Sequence, residues 1–297
     1  MSGSSPMRMS GDDLKSLPGN NEGSLSESYF GRSWSHSFFN WKRFRIMMGA
    51  TARDTLRRLK LKSPRVLELG CGSGTGIFET ADVCQEISGV RWYGLDLNIR
   101  AVAAASSRSN LRESRSNKKA VRFLTADLSA LPFPDRCFDL LFCTIVLEHI
   151  ADPKVVIAEM ARITTRGGYV LITTPNPNNI VEKIGYSIDR ISKGSLKRVY
   201  WSGHDSVSAP PLSAEAGLAH VSVHPYRTWR RLLEDAGLRV VRKIRGSALF
   251  GGPFFDRHPI ITGTLIALDP ILDKLPGRYL LSIDLGILCC REGPHEI

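Results

Sequence analysis

Three glycines that alternate along one short stretch, Gly70, Gly72 and Gly74, are the residues of this chain best suited to chemistry. They follow an apolar run that holds one carboxylate, Glu68. Glycine has no Cβ, so a turn built from it bends sharply and can lie directly against a ligand. The pattern predicts a buried strand that ends in a ligand-binding turn. It differs from the dinucleotide fingerprint G-x-G-x-x-G, because Thr75 stands where that pattern requires glycine.

Carboxylates also follow the next two predicted strands. Asp96 ends the run YGLD, and Asp127 ends the run RFLTAD. In a βαβ unit, an acid at the tip of the second strand lies beside the first glycine turn and can accept the hydroxyls of a ribose. The alternative is that Asp96 only caps a helix that starts near Asn98.

The elements that must position these residues alternate between strand and helix patterns. A fourth apolar run, Phe138–Cys143, leads to Glu148 and His149, and a fifth strand follows the glycine pair 167–168 and ends near Asn176. Polar residues therefore collect after the carboxyl ends of the strands, where open α/β sheets bind their ligands. The sequence predicts an α/β fold with its site at that edge.

Four segments in this order carry a resemblance to a known family: VLELGCGSGTG, YGLDLN, TADLSALPFPDRCFDLLFCTIVLEHI and EMARITTRGGYVLITTPN. Over residues 45–176, and more weakly over 220–247, the chain resembles class I S-adenosylmethionine-dependent methyltransferases, with the quinone-biosynthesis enzymes as the most similar subgroup. The resemblance implies a doubly wound, Rossmann-like sheet of seven mostly parallel strands with a reversed final hairpin. One departure is the stretch 164–168, which lacks the usual Leu-Lys-Pro before its glycine pair, in a turn outside the cofactor chemistry.

The resemblance implies S-adenosyl-L-methionine as the cofactor. It assigns the methionine part to Glu68 and the glycine turn, the ribose to Asp96, and the adenine to Asp127 with Leu128. The implied cofactor-binding set is Glu68, Gly70, Cys71, Gly72, Gly74, Asp96, Leu97, Asp127 and Leu128.

The predicted reaction is transfer of a methyl group to a small-molecule or lipid-like acceptor, at oxygen, without a metal. A hydroxyl acceptor needs a base as its proton leaves. His149 is the first candidate because it follows the fourth strand, and His220 and His224 are weaker candidates. The alternative is that His149 only packs or caps beside Pro153.

Composition favours a cytoplasmic enzyme. The 297 residues include six cysteines with no metal-ligand spacing, and no apolar run reaches the length of a membrane-spanning helix. Residues 1–28 are rich in Ser and Gly and are expected to form a disordered leader, neither a signal peptide nor a membrane helix.

The remaining residues, 29–297, are predicted to form a single methyltransferase domain. Its expected parts are a basic N-terminal helix (41–60), the cofactor-binding core (65–176), a substrate lid inserted at 177–223, and a C-terminal part (224–297) that carries an apolar insertion at 246–276.

The net charge of +11 is concentrated near the N-terminus, where nine basic residues between positions 41 and 65 face one acid, Asp54. Three interpretations stay open: a solvated helix that packs on the sheet, a peripheral contact with an anionic membrane, and nucleic-acid binding. Nucleic acid ranks lowest, because basic and aromatic residues do not alternate here. The basic residues are Lys42, Arg43, Arg45, Arg53, Arg57, Arg58, Lys60, Lys62 and Arg65.

Two other classes of protein remain as alternatives to the enzyme. A non-catalytic scaffold subunit could keep the fold, although the intact set of Glu68, three glycines, Asp96 and Asp127 argues against it. A nicotinamide oxidoreductase is disfavoured by Thr75 and by the lack of a plausible hydride-transfer site. The acceptor and the oligomeric state are not predicted.

Overall fold

The computed structural model describes residues 47–116, 120–180, 183–184, 221–246, 253–272 and 274–292. The predicted leader (1–28), the start of the basic helix (41–46) and most of the predicted lid (181–182 and 185–220) lie outside the described residues.

Seven helices and seven strands make up the described part of the chain. Their bounds are α1 Thr51–Leu59, β1 Arg65–Leu69, α2 Thr75–Val83, β2 Arg91–Asp96, α3 Ile99–Ser116, β3 Val121–Thr125, β4 Phe138–Thr144, α4 Pro153–Ile163, β5 Thr164–Pro175, α5 Tyr226–Asp235, β6 Leu238–Arg245, α6 Pro253–Arg257, α7 Pro259–Leu272 and β7 Asp284–Arg291. Short 3₁₀ turns lie at Leu147–His149 and Arg278–Leu281.

The strands form one sheet in the order β3-β2-β1-β4-β5-β7-β6. The first five strands pair in parallel, whereas β7 runs antiparallel to both β5 and β6. Parallel strands bury both faces under helices, and β4 is accordingly buried over six of its seven residues. The predicted sheet of seven mostly parallel strands with a reversed final hairpin is confirmed.

Helices on the two faces of the sheet close two apolar cores. One core places Leu69 and Ile172 of the sheet against Met160 of α4 and Trp229 of α5. The other places Phe142 of β4 against Ile77 of α2 and Leu56 of α1. Helix α1, the described part of the predicted basic segment, therefore packs on the sheet through its apolar side.

One boundary differs from the sequence pattern, which suggests a last strand over 279–291. The strand begins only at Asp284, because a 3₁₀ turn precedes it. The buried Asn176 amide donates to the carbonyls of Tyr279 and Ser282, at 2.7 Å each, and holds that turn against the end of β5. The carboxyl edge of the sheet is thus tied together across β5 and β7.

Candidate active site

The glycine turn after β1 is built on left-handed backbone. Gly70, Gly72 and Gly74 have φ of +71°, +51° and +82°, a region that residues with a Cβ rarely adopt. The N–H groups of Gly70 and Cys71 both donate to the carbonyl of Leu95 in β2, at 2.8 and 2.9 Å. The turn is therefore fastened to the neighbouring strand before any ligand arrives.

The three glycines differ in what surrounds them. A Cβ at Gly70 would collide with the side chain of Val146, and one at Gly74 would lie 2.8 Å from Phe78. A Cβ at Gly72 would meet no protein atom within 4 Å. The turn is closely packed on both sides and open at Gly72, the form expected of a surface that a ligand touches.

Glu68 is buried beneath this turn. Its side chain lies under the start of α2, where the backbone N–H of Ile77 donates to the carboxylate and a Cβ on Gly76 would collide with it. Burial, helped by the nearby charge of Asp96, raises the pKa of Glu68 to about 8. Its Oε2 atom has no hydrogen-bond partner among the described residues. A buried carboxylate oxygen without a donor is a strong acceptor for a cationic or N–H group of a ligand.

Asp96 links the two strands that frame the turn. Its Oδ2 accepts from the N–H of Gly72 and its Oδ1 from the N–H of Asn98, both at 2.8 Å. The cap of α3 is Asn98 itself, whose side-chain oxygen accepts from the N–H of Arg100 at 3.0 Å. A carboxylate has about four lone-pair sites, so Asp96 keeps acceptor capacity for two further donors.

The predicted adenine residues lie on the next loop. The carboxylate of Asp127 accepts from the N–H and the hydroxyl of Ser129, each at 2.8 Å, and these bonds lower the pKa of Asp127. Leu128 is buried and Leu97 is exposed at the tip of β2. The carbonyl of Asp96 accepts the N–H of Ala126 at 3.2 Å, which holds the two loops side by side.

The loop after β4 carries a feature that sequence patterns did not indicate. Ile145 has φ of +52°, which is a true outlier for a β-branched residue and is stabilised by its N–H donating to Thr173 at 3.1 Å. This conformation turns the next residue, Val146, onto Gly70. No sequence signal could have found it, since isoleucine is among the least expected residues at positive φ.

Arg108 is a second residue that sequence patterns did not indicate, and it contacts the outer side of the glycine turn. Arg108 of α3 donates to the carbonyl of Ser73 at 2.9 Å and to the hydroxyl of Thr75 at 3.3 Å. Its guanidinium also lies 5.2 Å from the centre of the Phe78 ring. Arg108 therefore braces the outer side of the glycine turn, a contact between distant parts of the chain that spacing alone cannot reveal.

The candidate bases lie near the loop after β4. His149 ends the 3₁₀ turn and is half-buried, and its neighbour Glu148 is fully buried. The carbonyl of Glu148 accepts the N–H groups of Val221 and Ser222, at 2.8 and 3.0 Å. The chain that returns from residues 185–220 thus runs beside His149.

His224 follows directly on that returning chain. Its ring packs edge-on against Trp229 of α5, with the ring centres 5.2 Å apart. Both predicted bases therefore belong to the same side of the sheet, although the buried Trp229 gives His224 a packing role of its own.

The residues predicted to bind a cofactor thus lie together at the carboxyl edge of β1, β2 and β3, around one glycine turn. A seven-stranded sheet with a reversed β7 and carboxylates at or just beyond these strand ends is the arrangement of the class I S-adenosylmethionine-dependent methyltransferases, and the chain shares this fold. Residues 67–172 match a family model described as a methyltransferase domain. S-adenosyl-L-methionine is the cofactor of this class.

Curated relatives and a solved structure of this fold are methyltransferases by name. The chain is 35% identical over 123 residues to a ubiquinone biosynthesis O-methyltransferase of Thiobacillus denitrificans, which covers 41% of this chain and 48% of that protein. It is 32% identical over 126 residues to a fatty-acid O-methyltransferase of Mycolicibacterium smegmatis, with 42% of each protein covered. The chain thus spans just under half the length of these relatives.

One solved structure with the same fold is a magnesium protoporphyrin IX methyltransferase from Synechocystis PCC 6803. It has 14% sequence identity, a TM-score of 0.55, and coverage of 91% of this chain and 90% of that one.

The site fits the cofactor on its own geometry. The partnerless Oε2 of Glu68 can receive a cationic amine, the open face of Gly72 can receive a flat ligand without a clash, and Asp96 has acceptor capacity left. Among the described residues, no group of His, Cys, Asp and Glu could hold a metal ion.

Proposed function

We propose that this chain transfers a methyl group from S-adenosyl-L-methionine to the oxygen of a small-molecule or lipid-like acceptor. The observation that carries the proposal is the buried carboxylate of Glu68, whose Oε2 lacks a partner among the described residues and lies beside Gly76, just after the glycine turn. The names of the two curated relatives support oxygen as the attacked atom and an apolar acceptor.

The assignment of roles follows the geometry. Glu68 would hold the amine of the methionine part, Asp96 the two ribose hydroxyls, and the loop of Asp127 and Leu128 the adenine. Gly70, Cys71, Gly72 and Gly74 would form the surface beneath the donor, with Leu97 against it at the tip of β2. Cys71 would contribute its backbone only, because burial raises the pKa of its thiol and keeps it neutral.

When bound, the cofactor supplies a methyl group on a sulfonium, which is electrophilic without further activation. The task of the protein is then to hold the acceptor oxygen in line with that methyl and to exclude water. Such positioning supplies about 7–11 kcal/mol of barrier reduction in well-oriented systems. The strained Ile145 and the brace at Arg108 stiffen the two sides of the turn for this purpose.

A hydroxyl acceptor must lose a proton as its oxygen is methylated. We propose His149 as the group that accepts it, with His224 as the second candidate. The support is position: the loop of His149 follows β4, next to the glycine turn through the contact of Val146 with Gly70.

Thermal unfolding with added nucleotides tests the class of ligand. S-adenosyl-L-methionine and S-adenosyl-L-homocysteine are expected to raise the unfolding temperature, and NAD is not. Stabilisation by NAD alone would contradict the proposal. Incubation with methyl-labelled cofactor and a bacterial lipid extract then tests the acceptor, since transferred label should move into the organic phase. Stabilisation by the cofactor without any transferred label would favour a non-catalytic subunit.

The proposal includes peripheral contact of the enzyme with an anionic membrane. Its first support is the basic side of α1, where Arg53, Arg57, Arg58 and Lys60 follow one another around Asp54. A lipid-like acceptor would be reached most directly from a bilayer.

A further inference from the structure

Helix α7 buries two of its polar side chains and exposes several of its apolar ones. Among the side chains of α7 that the structure describes, the buried ones are Thr262 and Asp269. Ile260 is 84% exposed and Ile271 is 54% exposed, and Leu268 lies between them on the same side. A helix on the surface of a globular protein normally shows the opposite pattern. Scattered exposed apolar residues need no explanation, but a continuous apolar face does.

The buried polar side chains anchor the helix to the sheet. Asp269 accepts from the guanidinium of Arg245 at 2.9 Å, and the two side chains are 7% and 3% exposed. The hydroxyl of Thr262 donates to the carbonyl of Phe255 at 2.6 Å. A buried ion pair fixes orientation more than it adds stability. These contacts hold α7 with its apolar side turned to solvent.

The outward face is uncharged over its whole length. Positions that recur at helical spacing of three or four residues share a face. The exposed residues of α7 that follow this spacing are Ile260, Thr264, Ala267, Leu268 and Ile271, and Leu275 continues the same apolar character just beyond the helix.

A strongly basic surface lies beside this helix. Strand β6 is an edge strand and carries Arg239, Arg242 and Lys243. Arg239 pairs with Glu292 at 3.0 Å, and the ammonium of Lys243 lies against the rings of Tyr226 and Tyr279. Arg242 donates to the hydroxyl of Thr51 at 3.1 Å, which joins β6 to the basic helix α1. Arg245, the last residue of β6, holds α7. We call α1 and β6 together the basic belt, and α7 is attached directly to it.

We propose that α7 docks this protein onto an anionic lipid bilayer, with its apolar face in the interface and the basic belt against the headgroups. An apolar helix face next to cationic side chains is the pattern of interfacial membrane-binding helices. Cations near an anionic surface add attraction that salt screens. A second copy of the chain is less well matched, because self-association through α7 would bring two basic belts together.

The docking surface lies at the carboxyl edge of the sheet, the edge that also holds the candidate active site. In the sheet, Arg245 of β6 lies opposite Leu285 of β7. The residue before it in β7, Asp284, lies opposite Pro175 at the end of β5. The helix is therefore anchored at the carboxyl edge, where the candidate active site also lies. A lipid-like acceptor could enter from the bilayer along this edge; that part of the inference rests on the proposed function, whereas the docking itself does not.

Among the described residues, no helix is long and apolar enough to cross a bilayer. The proposed contact is accordingly peripheral, and α7 at 14 residues is suited to lie in the plane of the interface.

Co-sedimentation of the full chain with vesicles, without cofactor or acceptor, tests the docking. Vesicles of phosphatidylcholine mixed with phosphatidylglycerol are expected to bind the chain, and vesicles of phosphatidylcholine alone to bind it weakly. High salt should reduce binding without abolishing it, because the apolar contact is not screened. No binding to the mixed vesicles at low salt would overturn the proposal.

Substitutions on α7 test whether the apolar face of this helix makes the contact with the bilayer. Ile260→Asp combined with Ile271→Asp should lower the partition coefficient at least tenfold, since two apolar side chains no longer enter the interface. Both positions are exposed, so the fold should survive. Leu111→Asp combined with Val155→Asp changes exposed apolar residues on α3 and α4, 50% and 44% exposed, and should leave binding unchanged. Equal losses in the two pairs would overturn the assignment to α7.

Sedimentation velocity tests the alternative that a second copy of the chain, and not a bilayer, binds to α7. A dimer that dissociates in the Ile260→Asp, Ile271→Asp variant would show that α7 is a self-association surface and would overturn the membrane proposal. Because no vesicle measurement involves the cofactor, failure of docking leaves the methyltransferase proposal intact, and failure of cofactor binding leaves docking intact.

Discussion

The carboxylate of Asp96 accepts a hydrogen bond from the backbone N–H of Gly72 at 2.8 Å. A single side chain at the tip of β2 thus fixes the one position of the glycine turn that is open to a ligand. It also keeps the acceptor capacity with which the ribose would be bound. Preorganisation of the turn and recognition of the cofactor are carried by the same group.

Replacing Asp96 by alanine should weaken binding of S-adenosyl-L-homocysteine by roughly 30- to 1000-fold. The variant loses two charge-assisted acceptor bonds to the ribose, each worth about 1–2 kcal/mol net. Isothermal calorimetry measures the change. Asp152→Ala is the matched control, because Asp152 also accepts from a backbone N–H, that of Lys154 at the start of α4, but lies outside the site. A change below threefold in Asp96→Ala would remove this residue from the site.

Gly72→Val should abolish cofactor binding while the far-UV dichroism spectrum stays native. The new Cβ would meet no protein atom within 4 Å, and the side chain would occupy the ligand side of the turn, with added strain at positive φ. Gly167→Val supplies the control, since Gly167 also has positive φ, +73°, and open space around its Cβ position, in a turn of β5 far from the glycine turn in sequence. Equal binding by both variants would show that Gly72 touches no ligand.

The pKa of Glu68, raised to about 8, makes cofactor affinity depend on pH. Below that pH the buried carboxyl is protonated, whereas a cationic amine favours its ionised form. Binding should therefore release a proton and tighten as the pH rises from about 6 to 8. Calorimetry in buffers of different ionisation enthalpy measures the released proton. Glu68→Gln should bind more weakly and without this slope, and the exposed Glu113→Gln should behave as wild type.

The raised pKa of Glu68 also makes the stability of the ligand-free folded chain depend on pH. The folded-state pKa of Glu68 lies above its unfolded value of 4.5, so protonation stabilises the folded state. This contribution is fully present below pH 4.5 and is lost as the pH rises through about 8. Glu68→Gln should accordingly reduce the fall in unfolding temperature between pH 6 and pH 9. A fall as steep as that of the wild type would show that Glu68 is not the buried titrating group.

His149→Ala should lower single-turnover methyl transfer by roughly 10²- to 10⁴-fold, the usual effect of a positioned base, and leave cofactor affinity unchanged. His258→Ala, a histidine between α6 and α7, is the control, and His224→Ala tests the second candidate. A normal rate in His149→Ala would make this residue structural.

Much of this fold could be predicted because its signals are local. The apolar runs that end in Glu68, Asp96 and Asp127 fix three parallel strands, and the glycines fix the turn between the first strand and its helix. The antiparallel direction of β7 is predicted only by the family resemblance. The residues of β6 and β7 do not indicate in which direction each strand runs in the sheet. The left-handed Ile145 and the brace at Arg108 arise from tertiary contacts, which no window along the chain contains. The apolar insertion was visible in composition, but its outward orientation depends on the Arg245–Asp269 pair.

The most direct test of the account is calorimetric titration of the full chain with S-adenosyl-L-homocysteine, in parallel with Gly72→Val. The account predicts saturable binding of one ligand per chain in the wild type, and none in the folded variant. A wild-type chain that is folded but shows no binding, or a variant that binds as tightly as the wild type, would contradict the assignment of this turn as a cofactor site.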